Sequence, residues 1–257
     1  MWCRVQEIDE RWIEFSPNEG LNDALPLYYA SLGGFYDLAE HIVGKHPEHI
    51  NARGGHMVTP LVAALRGKYF EVAELLHRHG ADVDVLGDNK VSPLHNACVD
   101  ELVDVIHWLL DHGAGVNVKN KWLYTPLHVA ANCGRLQAAR ILIEHNADIH
   151  IRGFEGMSPL HVAAMHWIKR DQDDVIQVLL DHGANPNARD DNNATPLHHS
   201  SWWDGAGGGT VEGTLLLLNH GAIIDAEDKE GKTPLQLALD HGRDDIVTCL
   251  KEHGATR

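Results

Sequence analysis

Twenty histidines stand among 257 residues, beside 37 acidic and 21 basic side chains. Imidazoles in that number could ligate a metal ion or relay protons. Their positions assign nine of them to other work. His79, His112, His182, His220 and His253 each precede a glycine of the kind that ends a helix, where a cation meets the negative end of the helix dipole. His95, His128, His161 and His198 share one place in a recurring heptapeptide. On the first helices only His166, His199 and His241 are left as candidates, and the tetrahedral demands of zinc argue against a site shared among them.

The other reactive side chains assemble no chemistry either. Cys3, Cys98, Cys133 and Cys249 form no CxxC pair, and reduced thiols are expected. Gly205, Gly207, Gly208 and Gly209 lack the GxxxxGK[ST] pattern of a phosphate loop and read as a connector. Asp190-Asp191 and Asp171, Asp173 and Asp174 read as solvated acidic faces. No Ser, Thr or Cys is arranged with a base as an activated nucleophile would be, so the chain reads as a non-enzyme with no cofactor and no metal.

The elements that carry these residues repeat. Thr125-Pro126-Leu127-His128-Val129-Ala130-Ala131 has cognates whose prolines stand at 26, 60, 93, 126, 159, 196 and 234, giving steps of 34, 33, 33, 33, 37 and 38 residues. A Thr or Ser hydroxyl caps the start of a helix, and proline suits its first turn, where no N–H is required. About 20 residues after most of these prolines comes Gly80, Gly113, Gly183, Gly221 or Gly254, with Asn146 in the fourth unit, all tolerant of the left-handed conformation that closes a second helix. The longer steps place extra residues between the helices of the fifth and sixth units, in 167–173 and 204–210.

Heptapeptide, helix stop and spacing together resemble the ankyrin repeat. The resemblance implies an all-α repeat fold, an ankyrin-repeat solenoid of about seven helix-turn-helix units with β-turn or hairpin fingers. The units run over about 24–54, 55–87, 88–120, 121–153, 154–190, 191–228 and 229–257. It also implies that the motif histidines hydrogen-bond backbone in the neighbouring finger. Residues 1–23 precede the repeats, and Trp2, Val5, Ile8, Trp12 and Phe15 give them the period of an amphipathic helix, read either as an N-terminal cap or as a docking helix for a partner. Trp108, among apolar neighbours on a second helix, is expected in the core.

The family's concave contact surface implies a partner-binding set here: Trp122, Tyr124, Phe154, Met157, Met165, His166, Asp191, Trp202 and Trp203. Of 15 such positions in the fourth to sixth units five are aromatic, against 6% aromatic residues overall. Exposed rings on one face suggest a recognition patch. The alternative is that Trp202 and Trp203 turn inward over the lengthened loops. The expected function is a non-catalytic scaffold for a protein or peptide, the alternative an ankyrin tail or subunit of a larger signalling protein whose activity lies in another domain. A formal charge of −16 disfavours nucleic acid and acidic lipid and favours a basic partner. With no run of 18 apolar residues and no apolar leader in the first 20, the chain is expected to be a cytoplasmic or nuclear monomer, neither secreted nor membrane-bound.

Overall fold

The computed structural model describes residues 26–54, 59–165, 172–202 and 209–256. The expected N-terminal helix, 1–23, lies outside them. Among the described residues there are fourteen α-helices and no strand. The chain divides into two compact units, Met1–Asp82 and Val83–Arg257.

The first unit contains two helix pairs, α1 (Pro26–Leu32) with α2 (Tyr36–Lys45) and α3 (Pro60–Arg66) with α4 (Phe70–Arg78). Helix α1 packs on α3 and α2 on α4, burying Leu27, Leu61, Val72 and Leu76 between them. A short 3-10 turn, Pro47–His49, follows α2. Asn51 ties the ends of the two pairs together, accepting from the amide of Asp82 at 2.8 Å and donating to Gly80 O at 3.2 Å.

The second unit contains five pairs: α5 (Pro93–Val99) and α6 (Val103–Asp111), α7 (Pro126–Asn132) and α8 (Leu136–Glu144), α9 (Pro159–Ala164) and α10 (Gln172–Asp181), α11 (Pro196–Ser201) and α12 (Val211–Asn219), α13 (Pro234–Asp240) and α14 (Asp244–Glu252). First helices pack on first helices in chain order, and second helices on second. The motif explains both the starts and the contacts. At α7 the Thr125 hydroxyl accepts from the amide of His128 while His128 Nδ1 accepts from the amide of Thr125, a reciprocal cap with proline at the first helical position. The two alanines that follow are fully buried, letting neighbouring helices approach closely, and each fully buried leucine (Leu94, Leu127, Leu160, Leu197) contributes about 2 to 3 kcal/mol by leaving water.

Asp173 already belongs to α10, and Thr210 caps α12, its hydroxyl accepting from Gly213 N at 2.8 Å and donating to the Asp173 carboxylate. Residues 167–171 and 204–208 of the two lengthened connections lie outside the described residues. Trp108 is a correction: it is half-buried on α6 and stacks face to face on His112, ring centroids 3.9 Å apart, rather than filling the core.

Candidate partner-binding site

The fingers that precede the five helix pairs of the second unit are tight turns closed by one backbone bond each: Gly87 N to Val91 O, Asn120 N to Tyr124 O, Gly153 N to Met157 O, Asp190 N to Ala194 O and Asp228 N to Lys232 O, all 2.7 to 3.0 Å. The residue before each closing position is left-handed: Lys90, Leu123, Gly156, Asn193 and Gly231, with φ from 58° to 74°. Glycine and asparagine adopt that conformation readily, and a branched apolar residue does so at a cost of about 1 to 2 kcal/mol. Leu123 nevertheless occupies it at φ 61°, with 51% of its surface in water.

Histidines hold the fingers in place. Nδ1 of His95, His128, His161 and His198 accepts within the helix cap, so Nε2 carries the proton and donates forward to Tyr124 O (2.9 Å), Met157 O (3.1 Å), Ala188 O (3.1 Å) and Lys232 O (3.1 Å). Burial pushes all four imidazoles below their usual value, His128 to about 4 and His161 to about 3. They are neutral structural groups. The histidines at the helix stops bond back onto the last turn of their own helices. Nδ1–H of His79, His112, His145, His182, His220 and His253 donates to the carbonyl four residues earlier, at 2.7 to 2.8 Å.

A cationic ladder runs along the outer side of the fingers. Lys119 Nζ donates to Arg152 O at 3.1 Å, Arg152 to Arg189 O at 3.1 Å and to the Asp191 carboxylate at 2.6 Å, and Arg189 to Glu227 O at 2.6 Å. Asp191 is therefore exposed but ion-paired. Asp190 departs from its expected solvated role, for it is 7% exposed. Its carboxylate accepts from the amides of Asn192 and Ala194 and from His199 Nε2 at 2.8 Å. Burial works to raise that carboxyl, and these bonds, the His199 one foremost, outweigh it and leave the group below the usual carboxylate range. His199, one of the three histidines that had no assigned role, is thereby occupied.

The expected binding residues separate into two sets. Met157 is 5% exposed and contributes packing rather than surface. Tyr124 stacks on His128, centroids 5.1 Å apart and planes 7° apart, with its ring over Gly153, and burial raises its phenol pKa. Tyr124 itself is half-buried and keeps some surface in water. Trp122, Phe154, Met165 and Trp202 are half-buried, each keeping surface in water. Trp202 also meets His241 of the next helix pair edge to face at 5.8 Å. His166 and Trp203 lie outside the described residues. Sequence reasoning missed Leu123, whose position at the left-handed step was readable from the glycines and asparagine at the cognate steps. Among the described residues of this unit no three His, Cys, Asp or Glu donors converge as a metal site would require. Cys98, Cys133 and Cys249 are buried free thiols.

Paired helices in register, tight fingers and motif histidines reaching forward define a helical repeat protein. The family model for ankyrin repeats (3 copies) matches residues 27–120, 104–190 and 165–256, and the chain belongs to the ankyrin repeat family. The human ASB11 ankyrin repeat domain superposes with a TM-score of 0.73 at 24% identity, covering 91% of this chain and 99% of that one. An Arabidopsis thaliana protein provisionally named as an E3 ubiquitin-protein ligase, XBAT34, is 39% identical over 82 residues, 31% of this chain and 20% of its own length. Cyclin-dependent kinase 4 inhibitor B of Rattus norvegicus is 37% identical over 83 residues, 32% of this chain and 58% of its own length. The matches thus span from a fifth to less than three fifths of those relatives. Domains of this family are protein-interaction modules and typically non-catalytic. Among the described residues no helix is long and apolar enough to cross a membrane.

Proposed function

We propose that the second unit is a recognition scaffold that binds a protein or peptide along its fingers and first helices, with Trp122, Leu123, Phe154, Met165 and Trp202 as apolar contacts. The carrying observation is Leu123. Its backbone is strained and half of its surface lies in water, so its side chain does not fill the core, and strain retained at an exposed site is a mark of function. Glu155 and Asp191 flank these contacts, which suits a partner with basic groups around an apolar anchor.

Photo-cross-linking from position 123 followed by mass spectrometry would identify the partner. A hot-spot tryptophan is worth roughly 2 to 4 kcal/mol. Trp122→Ala is therefore expected to abolish capture, and Trp202→Ala to weaken it less because that ring also packs on His241. Equal recovery by folded Trp122→Ala and wild type would remove the face from consideration.

A second reading rests on the partial coverage of the relatives: the chain acts as the ankyrin portion of a larger signalling assembly, and the same face docks on another domain of it. Cross-links that lead to a sequence encoded in the same reading frame would favour this reading.

A further inference from the structure

The turn after α2 in the first unit gathers three donors that the fold does not use. His46 closes α2, its amide donating to Ile42 O at 2.7 Å, and Pro47–His49 form the 3-10 turn that follows. In such a turn side chains three apart eclipse. The imidazoles of His46 and His49 accordingly stack, centroids 5.2 Å apart and planes 13° apart. Glu48 reaches between them: its Oε1 lies 3.1 Å from His46 Nδ1 and 3.8 Å from His49 Nε2. The three donor atoms all lie within 4.8 Å of one another.

The geometry points to a zinc-type divalent metal site formed by His46 Nδ1, a Glu48 carboxylate oxygen and His49 Nε2. Ligands 2.0 to 2.2 Å from a tetrahedral ion stand about 3.3 to 3.6 Å apart, and the two shorter edges here bracket that spacing. Two imidazoles and one carboxylate suit Zn2+, Ni2+ or Cu2+ rather than the oxygen-only preference of Ca2+ and Mg2+. The ligands come from one short turn whose backbone is fixed by proline and by bonds from His49 N to His46 O at 3.1 Å, Ile50 N to Pro47 O at 3.2 Å and Ala52 N to His49 O at 3.1 Å. Little conformational entropy is therefore lost on binding. His46 and Glu48 are exposed, which leaves the remaining coordination positions open to water or to a donor from a partner. His49 Nδ1 is buried without a hydrogen-bond partner, so its ring lacks the outer contact that tightens most metal sites. The other histidines compete weakly, because ten of them already hold backbone carbonyls through a ring nitrogen.

The test is titration of the full chain with Zn2+ against a chromophoric chelator, with amide NMR spectra recorded alongside. One ion is expected to bind ahead of any others and to shift resonances of the 46–50 turn first. His49→Gln and Glu48→Gln, checked for folding by circular dichroism, are expected to weaken that ion at least tenfold. His107→Gln, which removes the exposed member of the His107–His145 ring pair, is expected to leave it unchanged. Equal zinc affinity in wild type and in a folded His46→Gln/His49→Gln double variant would overturn the assignment. So would first shifts at His107 or equal competition by Ca2+.

Discussion

His128 shows how one side chain links helix start, finger and pH. It caps α7 through Nδ1 and holds Met157 O through Nε2, in a site closed to water. His128→Ala strands a buried amide and a buried carbonyl and is expected to cost about 2 to 4 kcal/mol, measured by urea unfolding. Titration has a definite sign. Folding depresses the imidazole pKa from its usual 6.5 to about 4, so between those values the unfolded chain binds the proton and the folded one does not. Stability is therefore full above pH 6.5 and lost as pH falls towards 4, at up to about 1.4 kcal/mol per pH unit for each such histidine. His95, His161 and His198 act in the same direction. The last repeat supplies a control, since Gln236 makes the same reciprocal cap with Thr233 without titrating. His128→Gln should thus keep most of the stability at pH 7.5 and flatten its fall between pH 6.5 and 5; an unchanged slope would mean that His128 takes up its proton in the folded state. Leu123 offers the opposite trade. Leu123→Gly relieves the left-handed strain and, after the entropy that glycine adds to the unfolded chain, should stabilise by a few tenths to about 1 kcal/mol while weakening partner capture.

At the scale of elements, helices and fingers are held by different means, and the two should respond differently to substitution. Leu160 on α9 is fully enclosed between neighbouring helices, and Leu160→Ala is expected to cost about 2 to 5 kcal/mol in thermal or urea unfolding. Arg152 holds the next finger through Arg189 O and Asp191, yet it stands in water; Arg152→Ala should cost no more than about 1 kcal/mol and less in high salt. A larger loss from Arg152 than from Leu160 would reverse this order. The same division explains what the sequence made legible. Helix starts and stops could be read because hydroxyl, proline and glycine each answer a local backbone requirement at a fixed spacing. Ring directions could not. Met157 is buried while Trp122, Leu123 and Tyr124 all keep surface in water, and where the Tyr124 ring lies depends on the glycine at 153 and the histidine at 128 that receive it from other positions in the chain. Asp190 illustrates the same limit: paired with Asp191 it reads as an exposed acidic face, and only folding brings His199 and two amides onto it. The His46, Glu48 and His49 cluster is local enough to have been read, as two histidines three apart beside a proline, but the abundance of structural histidines concealed it.

For the molecule as a whole the charge decides more about encounter than about affinity. The formal −16 is spread through the sequence. Along the fingers the basic side chains Lys119, Arg152 and Arg189 are already turned onto backbone carbonyls, while Glu155 remains exposed beside the apolar contacts. A basic partner would therefore be drawn in from beyond contact distance, and at 0.15 M salt that attraction is screened over about 8 Å. Raising the ionic strength from 0.05 to 0.5 M should slow association by roughly tenfold while changing dissociation little, because dissociation is governed by the buried apolar anchors. Stopped-flow association at several salt concentrations separates the two. If dissociation carried the salt dependence instead, the contact would be held by ion pairs buried in the interface, and Trp122 and Leu123 would no longer be its anchors.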